Sequence, residues 1–64
     1  MRTLSQILIQ ADEAKSVVVL KLLADEIMKN KHKMPLCEII FGLEHIKDLA
    51  YRIKKLDEIK QLMS

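Results

Sequence analysis

Lys29-Asn30-Lys31-His32-Lys33-Met34-Pro35 divides the chain into two long apolar-periodic segments, and its reading decides the fold. A cation at Lys29 suits the negative end of a helix, and Asn30 tolerates the left-handed conformation that closes one. Pro35 suits the first turn of a following helix, where its missing N–H is no loss, and it pushes Met34 toward an extended backbone. The stretch therefore predicts a basic loop over 30–34 between a helix of about residues 4–29 and a second of about 35–63. The fold expected is an all-α antiparallel helical hairpin, one domain spanning 1–64.

On the N-terminal side, Thr3-Leu4-Ser5-Gln6 fits a capping box, so the first helix should begin at Leu4. At 100° per residue, Leu4, Ile7, Leu8, Ala11, Ala14, Val18 and Leu22 fall on one face. A second apolar set, Ile9, Val19, Leu20, Leu23 and Ile27, falls on a different side of the same cylinder. The β-branched run Val17-Val18-Val19 admits a strand. The helical pattern from Ala24 to Lys29, with Asp25 and Lys29 spaced i,i+4, favours a helix. Asp12 is also a possible cap for a fresh helix, so a break near Ala11 to Asp12 is the alternative to one continuous rod.

On the C-terminal side, Leu36, Ile39, Leu43, Ile46, Ala50 and Ile53 alternate steps of three and four, as a helix-packing seam does. Beyond Ile53 the stripe slips to Leu56, Ile59 and Met63 and drifts around the helix. Gly42 in mid-helix marks either a kink or a close crossing of helices, because glycine there is unfavourable by about 1 kcal/mol relative to alanine.

Composition limits the rest. A chain of 64 residues buries only about 60% of the surface its unfolded form exposes. Half of it is apolar, yet only Phe41 and Tyr51 are aromatic, so the core must be aliphatic. Cys37 is the single cysteine, which excludes an internal disulfide and favours a cytoplasmic setting. The longest apolar run, Val17 to Leu20, is cut by Lys21, so no membrane span is expected. A balance of 11 basic and 9 acidic residues does not by itself announce a polyanion partner.

His32, His45, Cys37 and the carboxylates show no nucleophile–base or metal-ligand spacing, and there is no glycine-rich phosphate loop. The expectation is a non-enzymatic protein with no cofactor. Two helices cannot hide both apolar sides of the first segment, so association becomes the leading idea. A homodimer, a larger protein partner, or both would complete a helical bundle. The expected partner-binding residues are Val19, Leu20, Leu23 and Ile27 on the first helix, with Cys37, Phe41, Leu56 and Ile59 on the second. The alternative is a hairpin dimer that binds RNA, similar in architecture to Rop-like regulators, using Lys29, Lys31, His32 and Lys33 with Lys47, Arg52, Lys54, Lys55 and Lys60.

One short segment, Leu20-Lys21-Leu22-Leu23-Ala24-Asp25-Glu26-Ile27, resembles the BH3 segment of apoptosis regulators, an amphipathic helix that docks in a groove. The resemblance implies pocket-filling roles for Leu20, Leu23 and Ile27 and a contact with an arginine for Asp25. Ser16 departs from the pattern, which usually has an apolar anchor there.

Overall fold

A computed structural model describes residues 3–63, so the two ends of the expected 1–64 span lie outside the described residues. The chain is all-helical, with three helices rather than two long ones: α1 (Leu4–Glu13), α2 (Val17–Lys29) and α3 (Leu36–Met63).

The expected rod over 4–29 breaks at Ala14-Lys15-Ser16, where Ala14 (φ −68°, ψ 139°) and Ser16 (φ −137°, ψ 147°) are extended. The new helix is capped by Ser16, whose Oγ accepts from the Val19 N–H at 3.3 Å, and not by Asp12. A hydroxyl that can take a free amide competes with continued helix. Three β-branched residues after it gain little from extending the helix backward.

The break resets the helical phase, and this corrects the two-sided rod. In α1, Ile7 and Ala11 are buried with Leu4 and Leu8 packed beside them. In α2 it is Leu20, Leu23 and Ile27 that turn inward. Val18 and Leu22, expected on the same face as Leu4 and Ile7, are 69% and 64% exposed.

The other sequence signals act locally as their chemistry requires. Thr3 Oγ1 accepts from the Gln6 N–H and Gln6 Oε1 accepts from the Thr3 N–H, which completes the capping box. Asn30 closes α2, but not in the left-handed conformation expected of it: its φ is −105°, and its Nδ2 donates to the Glu26 carbonyl at 2.9 Å. Residues Lys31–Lys33 make one exposed 3-10 turn. Met34 is extended, as a residue before proline should be. The Pro35 carbonyl then accepts from the Glu38 and Ile39 amides to start α3.

α1 and α2 lie side by side against one face of α3. Ile39 and Ile46 are the buried residues of the α3 seam, and Leu43, Ala50 and Ile53 are packed beside them. Leu36, at the start of that seam, is instead 71% exposed. α2 runs antiparallel to α3 through the short loop. α1 runs in the same sense as α3, since Leu4 lies by Gly42, Asp12 by His45, and Ala14 by Ile53. The long dimension of 45 Å is α3 itself, because 28 helical residues span about 42 Å.

Gly42 settles as a close crossing. α3 continues through it, and a Cβ built there would lie 2.9 Å from Leu4 Cδ1 and 3.2 Å from Ile27 Cδ1. The side chain that glycine lacks is what lets α1 and α2 both reach α3 at this level.

Two outcomes test this fold by urea denaturation. Ser16→Ala should lower stability by about 1 kcal/mol, and Asp12→Ala by less, because its pair with His45 is exposed; a larger effect at Asp12 would place the second helix start wrongly. Gly42→Leu should cost about 1–3 kcal/mol by overpacking. Gly42→Ala should cost far less, because a gain of about 1 kcal/mol in helix propensity offsets small shifts of Leu4 and Ile27.

Candidate interaction surface

The residues expected to meet a partner divide into two groups once the chain is folded. Leu20, Leu23 and Ile27 are 1%, 3% and 0% exposed and form the centre of the chain's own core, with Val19 half-buried against it. They are not on the surface. The same burial turns inward the face of Leu20 to Ile27 that the BH3 resemblance would offer to a groove, leaving Asp25 outside.

The α3 residues remain in water. Cys37 is an exposed free thiol, and Phe41, Leu56 and Ile59 are exposed. Leu56 and Ile59 belong to the segment 54–63, every residue of which is exposed. Leu62 and Met63, at 86% and 83%, complete an apolar side that no other helix covers. Phe41 stands apart, near the loop end of α3 with Leu36 and Ile40, which are also exposed.

Two shallow grooves flank the second half of α3. One of about 320 Å³ is lined by Ala14, Lys15, Ile53, Leu56, Asp57 and Lys60, where the α1–α2 turn meets α3. The other, of about 240 Å³, is lined by Val17, Lys47, Ala50, Tyr51 and Lys54 on the α2 side. Neither draws on a buried, unpaired polar side chain, since none occurs among the described residues. A groove built this way offers apolar contact with charge at its edges.

The polar contacts around this region are surface contacts. Asp12 Oδ1 and His45 Nε2 lie 2.7 Å apart and tie α1 to α3, while the His45 ring stacks on Phe41 with centroids 6.3 Å apart. Lys55 is shared: its Nζ lies 3.5 Å from Glu58 and 5.7 Å above the Tyr51 ring. Lys55 is thus already engaged within α3, and Asp48, Asp57 and Glu58 stand among the cations of that helix.

Sequence reasoning missed the Asp12–His45 contact, which joins residues 33 apart and leaves no local signature. It also left Leu62 and Met63 out of the site, although Met63 carried the drifting stripe. Among the described residues no helix is long and apolar enough to cross a membrane. Comparison with protein-family models, with curated proteins and with solved structures gives no match.

The division between core and surface has a direct test. Leu23→Ala or Ile27→Ala should lower stability by about 2–5 kcal/mol in urea. Leu56→Ala and Ile59→Ala should each stay within about 0.5 kcal/mol. The reverse order would show that α2 packs with its other side inward.

Proposed function

We propose that the protein is a small non-enzymatic regulator or adaptor that acts by protein–protein contact through apolar helix faces. The observation that supports this most is that the chain completes an aliphatic core from Ile7 to Ile46 and still leaves Leu56, Ile59, Leu62 and Met63 in water on one helix. Isolated exposed leucines are ordinary; a contiguous apolar side on a segment whose every residue is exposed points to a partner. A helix presented in this way suits docking against another helix or into an apolar groove.

Charge supports the same reading over polyanion binding. The α3 cations are flanked by Asp48, Asp57 and Glu58, and the basic turn Lys31–Lys33 lies at the opposite end of the bundle from Lys54, Lys55 and Lys60. Phosphate binding strengthens with the number of cations that reach one backbone, and these cations are divided between the two ends of the bundle.

Capture with the immobilised chain, from an extract of the cells that express it, tests the proposal. A bound protein should survive nuclease and high-salt washing and be lost from the Leu56→Glu/Ile59→Glu variant. Recovery of nucleic acid alone, released steeply as salt rises, would overturn the reading.

A further inference from the structure

The seam between α2 and α3 has an open flank on the side away from α1. His45, which meets Asp12 of α1, lies about 180° round α3 from Lys54. On the open flank, helical spacing sets Ile40, Leu43, Lys47, Ala50 and Lys54 in one stripe at steps of three and four. Val17, Lys21, Ala24 and Met28 form the same pattern along α2. Val17 and Ala50 line one groove, and Ile27 lies by Gly42, so the antiparallel register brings Lys21 level with Lys47 and Met28 level with Ile40.

Charge along this flank is sorted. Lys21, Lys47 and Lys54 gather at the Val17 half, while Met28 and Ile40, 44% and 48% exposed, mark an apolar half. The groove of about 240 Å³ carries Lys47 and Lys54 at its edges and no carboxylate, whereas the groove at Ala14 holds Asp57 beside its own lysines. Among the described residues neither Lys47 nor Lys54 has an ion-pair partner. Glu58, the acid that follows Lys54 by one turn, lies 3.5 Å from Lys55.

We infer that this flank takes an acidic amphipathic helix of a partner protein, with two carboxylates at Lys47 and Lys54 and apolar side chains on Val17 and Ala50. Its apolar stripe continues over Met28 and Ile40. This rests on the reading of the protein as an adaptor and names the chemistry of a partner, on a face of α3 other than that of Leu56 and Ile59. Lys47 and Lys54 are two turns apart, about 10.5 Å, and a helix with acids seven residues apart presents them at the same interval. A nucleic acid backbone would find three cations here and leave Met28 and Ile40 uncovered. Two exposed ion pairs and a shallow apolar floor make the complex weak and reversible.

Fluorescence polarisation with a labelled helical peptide of alanine and leucine, carrying two glutamates seven residues apart, tests this on the full chain. Replacing both glutamates by glutamine should weaken binding about fivefold. Lys47→Glu/Lys54→Glu should weaken the glutamate peptide at least tenfold and bind the corresponding lysine peptide instead. Helicity and thermal unfolding should stay unchanged, because both side chains are exposed. Lys15→Glu/Lys60→Glu alters the net charge equally in the other groove and should change affinity less than about twofold. No binding, equal affinity for the glutamine peptide, or equal loss in the two double variants would overturn the proposal. So would a single-stranded RNA that binds more tightly than the peptide through the same lysines. The broader reading would still stand if a captured protein is lost with Leu56→Glu/Ile59→Glu and kept by Lys47→Glu/Lys54→Glu.

Discussion

The structure depends on one hydrogen bond and the phase shift that comes with it: Ser16 Oγ taking the Val19 amide. With a continuous helix over 4–29, the inward positions of α1 and those of α2 would face different directions, and no single partner helix would cover both. The extended residues at Ala14 and Ser16 let each half rotate independently onto α3. Two short helices then supply Ile7, Ala11, Leu20, Leu23 and Ile27 to one core that a two-helix hairpin would have left half open.

That core is narrow, and Gly42 shows how narrow. Leu4 and Ile27 come from two different helices, yet both reach within van der Waals range of the place where a Cβ would stand. Packing at this density comes from unbranched backbone at the crossing and from aliphatic side chains around it, in keeping with a composition nearly free of aromatics. No buried polar group is recorded at the core among the described residues, so its specificity comes from shape alone.

Features with a local cause were legible in the sequence. The Thr3–Gln6 capping box, the extended Met34 and the start of α3 after Pro35 each depend on a few neighbouring residues, and each appears where those residues put it. The α3 seam at Ile39, Leu43, Ile46, Ala50 and Ile53 was readable for the same reason, because one uninterrupted helix keeps one phase. What sequence alone did not reveal was the break. Ser16 and Asp12 are both good caps, and choosing between them depends on packing against a helix more than twenty residues away. That single choice moved Leu20, Leu23 and Ile27 from the expected surface to the interior and Val18 and Leu22 from the seam to solvent. Leu56 and Ile59 kept their exposure because they lie beyond the part of α3 that the break rearranges.

The overhang of α3 also has a thermodynamic character of its own. Residues 54–63 are all exposed and contribute no residue to the buried core, so their helicity rests mainly on backbone propagation from the packed turn at Ile53, aided by the Lys55–Glu58 pair. Propagation adds little free energy per residue, so this stretch should open from its far end on its own, with amide exchange much faster than at Ile39 or Ile46. A partner that covered Leu56 and Ile59 would therefore also have to arrest that fraying, and part of its binding energy would go into ordering the helix. Helix content beyond Ile53 would in that sense be a gauge of such occupancy.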